Sequence, residues 1–250
     1  MSAPTPCLPC RQNGVAHLSD SLHKAVIFDM DGVLIDSYRA HFESWQAVAA
    51  EHERVYTEEQ FAAGFGRTSR EVIAEQWQGE PLSDERIAEI DRRKEWLFRE
   101  IISADFPAMA GAVELIQSLV SAGFRLAVGS SGPAENVQLA IERLGVGRLL
   151  SATVTGNDVK RGKPNPQVFL TAAARMQVPP ARCVVVEDAP VGVEAAHRGG
   201  MRAVAIASTG RTVEQLRAAE LVVKSLCELS PQRFEELLRG SVGESSVLTK

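Results

Sequence analysis

The feature that most narrows what this chain can become is the stretch Lys24-Ala-Val-Ile-Phe-Asp29-Met-Asp31-Gly32-Val-Leu-Ile-Asp36-Ser37. Ala25 to Phe28 is an apolar, β-branched run of the kind buried on both faces of a parallel sheet, and two carboxylates and a glycine follow it at once. Such a strand delivers Asp29 and Asp31 to its C-terminal lip, which is where open α/β sheets bind ligands. Taken alone, Asp-x-Asp-Gly is as good a turn opening as a site. Three later segments decide the matter, because each again places polar groups at a strand end or a helix start.

The second segment is Val128-Gly129-Ser130-Ser131-Gly132-Pro133, where a hydroxyl and free helix N–H groups can meet an anionic oxygen. Helix capping is the competing reading for Ser130 and Ser131. The third is Lys160-Arg161-Gly162-Lys163-Pro164-Asn165-Pro166, with a lysine ahead of a proline-initiated helix. Lys163 is either a solvated loop charge or the cation that holds several anionic groups together. The fourth, Val184-Val-Val-Glu187-Asp188-Ala-Pro-Val-Gly192, ends a strand with two carboxylates, and hard oxygen donors converging from two strand ends suit Mg²⁺. For Asp188, capping the next helix is the alternative.

As an ordered set, these segments resemble the four motifs of the haloacid dehalogenase (HAD) superfamily of aspartyl phosphotransferases, over roughly residues 24 to 226. The resemblance implies Asp29 as the nucleophile, already ionised at neutral pH, and Asp31 as general acid and then base, with a raised pKa. It implies Gly32, Ser130 and Ser131 around the phosphoryl oxygens and Lys163 as the neutralising cation. It also implies Mg²⁺ held by Asp29, the Asp31 main-chain carbonyl, Glu187 and Asp188. Asp29 through Trp45 is similar to the β-phosphoglucomutase subgroup, which adds His41, Trp45 and Arg70 as cap-side substrate contacts. On their own, His41 and Trp45 read as packed helix residues.

One departure bears on the reaction. β-Phosphoglucomutases tend to carry a Lys-Asn pair after the motif II serine for a second phosphate, whereas here Gly132-Pro133-Ala134-Glu135-Asn136 follows. Losing that cation points to a phosphatase acting on a small phosphorylated metabolite, with a mutase as the alternative. A receiver-type phosphoacceptor module fits poorly, since such modules are shorter and have no helical insert.

From Gly111 to Val223 helical and strand patterns alternate, whereas residues 38–105 are helical throughout. The expected fold class is α/β: a doubly wound parallel sheet (24–37 and 106–240) with an inserted α-helical cap (38–105), and tails at 1–23 and 241–250. Trp45, Trp77, Trp96, Tyr38 and Tyr56 all fall in the insert, which predicts a core of its own.

With 45% apolar and 24% charged residues the chain reads as an ordinary globular protein. No run approaches the ~20 apolar residues of a membrane span. The start shows no basic-then-apolar leader, and four cysteines are too few for a disulfide framework, so a cytoplasmic protein without membrane contact is expected. Cys7 and Cys10, with His17 and His23, could form a zinc site, but a proline-rich tail with incidental thiols is the better reading. Net charge is −5, and the stretch from Arg39 to Asp105 carries 15 acidic against nine basic residues. No basic stripe is present, so no nucleic-acid partner is expected. The oligomeric state is open, with a monomer favoured.

Overall fold

The structure is a computed structural model that describes residues 23–240 except 66, 78–81 and 209. The expectations for the tails and for Cys7 and Cys10 lie outside the described residues. Strands β1 (Lys24–Phe28), β2 (Phe124–Gly129), β3 (Ala152–Val154), β4 (Cys183–Glu187), β5 (Arg202–Ile206) and β6 (Leu221–Val223) form one parallel sheet in the order β3-β2-β1-β4-β5-β6. The order reverses at β1, whose Phe28 is in register with Val128 on one side and Val186 on the other. Asp29 therefore leaves the sheet at its switch point, between the ends of β2 and β4.

Strand residues alternate between two apolar layers. Val26, Phe28, Leu126, Val128, Val184 and Val186 pack with α5 (Ala112–Ser121), α6 (Ala134–Leu144) and α9 (Pro231–Arg239). Ala25, Ile27, Cys183, Val185 and Ala203 pack with α7 (Gln167–Met176) and α8 (Pro190–Arg198). Burial on both faces is why these strands read as unbroken apolar runs. Helix α9 lies outside the patterns read from the sequence, although Phe234, Leu237 and Leu238 recur at i, i+3 and i+4 and form its sheet-facing stripe. An ion pair between Lys24 and Glu235 ties it to β1. The short helix expected before β6 is a single 3-10 turn, Glu214–Leu216.

Between β1 and α5 lie α1 (Tyr38–Glu51), α2 (Glu58–Gly64), α3 (Ser69–Gln76) and α4 (Asp84–Ala104). Capping boxes at Thr57/Gln60 and Thr68/Glu71 start α2 and α3, and Ser83 caps α4. A separate apolar cluster joins these helices, with Trp45 stacked on Tyr56 and Phe61, Val72, Ile73 and Ile90 around them. Trp96 corrects the expectation for the tryptophans: it is 43% exposed, with the Arg93 guanidinium 4.4 Å above its ring. Helix α4 serves two cores, since Ile90 belongs to the insert while Phe98 and Ile102 belong to the sheet layer. Among the described residues, no helix is long and apolar enough to cross a membrane.

Candidate active site

The backbone amide of Asp29 extends the sheet ladder one step, donating to the Val186 carbonyl at 2.9 Å. The chain then folds back, with Leu34 N–H on the Met30 carbonyl and Val33, Leu34 and Ile35 buried beneath, so the Asp29 and Asp31 side chains stand on a fixed turn. Gly32 sits at φ +73°, and a Cβ there would lie 2.1 Å from Asp188 Oδ2. The glycine is required twice over, by its conformation and by the carboxylate pressed against it.

Four charged side chains from three loops meet at this point, all of them buried: Asp29, Lys163, Glu187 and Asp188. Lys163 Nζ lies 2.9 Å from Asp29 Oδ1 and 2.5 Å from Glu187 Oε1. The second Glu187 oxygen accepts from the amides of Asp188 and Ala189 at 2.8 and 2.7 Å. Helix α8 has Ala189 at its cap position and no side-chain cap, so Asp188 is not a capping residue. Its Oδ2 is buried without a hydrogen-bond partner, and Asp29 Oδ1 likewise has no well-directed hydrogen bond.

Burial pushes the Asp29 carboxyl up to about 7; Lys163 opposes the rise, and Glu187 and Asp31 add to it, so the expectation that Asp29 is fully ionised at neutral pH is corrected for the metal-free protein. Asp188 is raised for the same reason, by burial first and then by Glu187 and Asp29. Burial works against the Lys163 ammonium, but Asp29 and Glu187 hold it charged well above the ordinary lysine range. Lys163 is thus the cation of the cluster and not a solvated loop charge. Oxygen atoms of Asp29, Glu187 and Asp188 lie within 4.8 Å of one another. Three desolvated carboxylates, one of them with an unpartnered oxygen at Asp188 Oδ2, fit a small hard cation such as Mg²⁺.

Asp31 is set differently. Its Oδ1 accepts from Ser37 Oγ at 2.7 Å and sits 3.0 Å from His41 Nε2. Lys94 Nζ lies 2.8 Å from His41 Nδ1; donating there, it leaves Nε2 to carry the hydrogen given to Asp31. The His41 ring is stacked on Phe98 at 3.9 Å and 4°, which fixes its plane. Burial alone would raise Asp31, yet His41, the hydrogen bonds from His41 and Ser37, and Lys94 bring it down to about 2. The raised pKa expected for Asp31 is therefore corrected: before substrate arrives this carboxylate is ionised.

Ser130 follows β2, its amide on the Val154 carbonyl at 3.0 Å, and its Oγ accepts from Gly132 N–H at 3.0 Å. Helix α6 begins after Pro133 with no side-chain cap, so neither Ser130 nor Ser131 is spent on capping. These groups open into a cavity of about 470 Å³ whose cap side carries Trp45, Arg70, Asp91, Lys94 and Glu95. Trp45 is 4% exposed and belongs mainly to the insert core, whereas Arg70 is exposed at the rim. The structure thus brings Asp29, Asp31, Gly32, Ser130, Ser131, Lys163, Asp188, His41, Trp45 and Arg70 around one space, with Glu187 beneath it.

Sequence reasoning missed Lys94, Glu95, Asp91 and Arg211. Lys94 was discoverable, since Ile90, Lys94, Phe98 and Ile102 step by four along one face of α4, and a lysine on an apolar stripe needs a partner. Arg211 donates to the Phe65 carbonyl at 2.9 Å and its charge acts on Asp188, which no local pattern announces.

A family model described as haloacid dehalogenase-like hydrolase matches residues 23–200. The validoxylamine A 7'-phosphate phosphatase of Streptomyces hygroscopicus subsp. limoneus is 32% identical over 83% of this chain and 96% of its own. The phosphorylated carbohydrates phosphatase of Thermotoga maritima is 32% identical over 71% of this chain and 82% of its own. In fold, the chain is similar to the crystal structure of a β-phosphoglucomutase from Clostridium difficile, with a TM-score of 0.79 at 22% identity, covering 88% of this chain and 99% of that one.

Proposed function

The chain belongs to the haloacid dehalogenase-like hydrolase family, and from that premise we propose that it is a Mg²⁺-dependent phosphatase of small phosphomonoesters, sugar or polyol phosphates in class. The observation that carries this reading is the buried Asp29–Lys163–Glu187–Asp188 cluster, with its orphaned Asp188 oxygen, at the floor of a cavity lined by Ser130 and roofed by the insert. Asp29, Glu187, Asp188 and the Asp31 carbonyl would hold the metal, which when bound supplies positive charge against the phosphoryl oxygens.

A carboxylate oxygen of Asp29 attacks phosphorus, and the P–O bond to the leaving group breaks as an aspartyl phosphate forms. Lys163 and the Ser130 hydroxyl take up the charge on the phosphoryl oxygens. Asp31 starts ionised, and the phosphate dianion arriving beside it raises its pKa, so a proton is taken up with the substrate and passed to the leaving oxygen. The carboxylate so restored removes a proton from the water that hydrolyses the acyl phosphate. Residues 38–105 act as the lid that excludes bulk water during these steps.

A mutase reading is disfavoured by the cavity wall. Immediately after Ser130 it offers Ser131, Gly132 and Pro133, without a cation in that segment, although Arg67 and Lys160 line the cavity elsewhere. Opposite, Arg70 and Asp91 lie within electrostatic reach of each other, and burial followed by Glu95 pushes Asp91 up to about 6. A donor beside an acceptor suits hydroxyls better than a second phosphate.

The test is phosphate release from a panel of sugar and polyol phosphates with Mg²⁺, expected to be abolished by chelation. No release from any member would overturn the reading. Stability offers an independent check. An acid whose folded pKa lies at about 7, above the ordinary 3.8, makes the metal-free protein lose stability as pH rises between those values. Mg²⁺ offsets that loss, so its gain in Tm is expected to be larger at pH 8 than at pH 5.5. A gain independent of pH would argue against these carboxylates as ligands.

A further inference from the structure

Three buried polar side chains that do not contact the reacting atoms lie in line where the insert meets the sheet domain. Asn136 stands on the first turn of α6, in the segment that departs from the mutase pattern, and Lys94 and Glu95 stand on α4. All three are at most 6% exposed. Asn136 Nδ2 donates to Glu95 Oε2 at 2.5 Å, and Arg99 donates to Asn136 Oδ1 at 2.8 Å, so both ends of the amide are engaged. The other Glu95 oxygen accepts from Lys94 Nζ at 2.9 Å and from the Ser69 hydroxyl of α3. Lys94 in turn reaches His41, and His41 reaches Asp31.

This line joins a core helix to three insert helices by side-chain hydrogen bonds. A buried polar group is tolerated when every member is satisfied, and becomes a liability when one partner leaves. Near-complete burial leaves Glu95 dependent on its partners, and Asn136 is the one among them that stands on the sheet domain. If Asn136 is lost, Glu95 turns toward Lys94 and Ser69, and Lys94 is drawn from the His41 ring. The ring can then present either nitrogen to Asp31.

Resting on the phosphatase reading above, we propose that Asn136 is a positioning residue. By anchoring Glu95, it keeps Lys94 on His41 and so aims Asp31 at the leaving oxygen when the insert is seated. Asn136 makes no contact with substrate; it makes the chemical step depend on the seating of the lid.

The experiment uses the full chain with Mg²⁺ and p-nitrophenyl phosphate, comparing wild type with Asn136→Ala, Asn136→Leu, Glu95→Gln and the double variant Glu95→Gln/Asn136→Ala. Expected is a fall in kcat of roughly 10²-fold for each Asn136 variant, as for a misplaced catalytic group, with KM within about threefold. The double variant is expected to be no worse than the poorer single one, because both changes cut the same line. A kcat within about twofold of wild type in folded protein, a loss confined to KM, or additive losses would each overturn the proposal. A second readout does not need turnover: ¹⁵N shifts of His41 are expected to show the Nε2–H tautomer in wild type and a mixture in Asn136→Ala. Unchanged tautomers would sink the relay even if phosphate is released. Changed tautomers in a protein that releases none would sink the phosphatase reading instead.

Discussion

Asp29→Ala is expected to lower phosphate release by on the order of 10⁴-fold or more, since no other group can form the covalent intermediate. The neighbouring acids are otherwise committed. Glu187 is locked onto Lys163 and two amides, and the Asp188 carboxylate is packed against Gly32 on the side of the cavity where the metal would sit. Stability should move the other way. Asp29 is a desolvated carboxylate whose pKa is raised by burial and by two like charges, so removing it from the metal-free protein relieves repulsion and should leave Tm unchanged or higher at pH 8. Asp31→Asn, by contrast, should accumulate a phosphoenzyme visible as a mass adduct with p-nitrophenyl phosphate, whose leaving group departs without an acid, because hydrolysis of the acyl phosphate then lacks its base. Substantial turnover by Asp29→Ala would remove the mechanism.

Gly192→Ala should also be damaging, although the change is one methyl group outside the cavity. A Cβ at Gly192 would stand 1.9 Å from Glu187 Oε1 and 2.0 Å from its Cδ. Glu187 is fully buried and its two oxygens already hold Lys163 and the amides of Asp188 and Ala189 just ahead of α8, so it has nowhere to retreat. Overpacking of this kind costs about 1–3 kcal/mol in stability. The larger effect is functional, because Glu187 cannot shift without moving Lys163 from Asp29; a loss of roughly 10²-fold in kcat/KM is expected. Gly145→Ala is the control. It also replaces a glycine, at φ +69°, but a Cβ there meets nothing within 4 Å. It should cost about 1 kcal/mol and leave kcat/KM alone. Equal activity losses in the two variants would show that the Glu187 contact is not what matters.

The strands and the lip residues were legible because their signals are local. A doubly covered parallel strand must be an apolar run, and the chain must turn where the strand leaves the sheet, so Asp29, Ser130 and Glu187 are placed by their neighbours in sequence. Helix α9 was legible but overlooked: Phe234, Leu237 and Leu238 mark one face of a proline-started helix whose other positions are charged or polar. The electrostatics of Asp31 were not legible, because the groups that lower its pKa include Lys94, 63 positions away on another helix. Trp96 misled for a related reason: an aromatic in an amphipathic helix looks like core until the partner face is known, and here Arg93 covers it instead.

The division of α4 between two apolar clusters bears on how this enzyme could be re-engineered. A transplant of the insert from a relative, spliced at the helix's visible ends, would carry a foreign Phe98 and Ile102 into the sheet layer and a foreign Glu95 against Asn136. Chimeras joined between Ile90 and Lys94 would exchange the roof while keeping the hinge pin native.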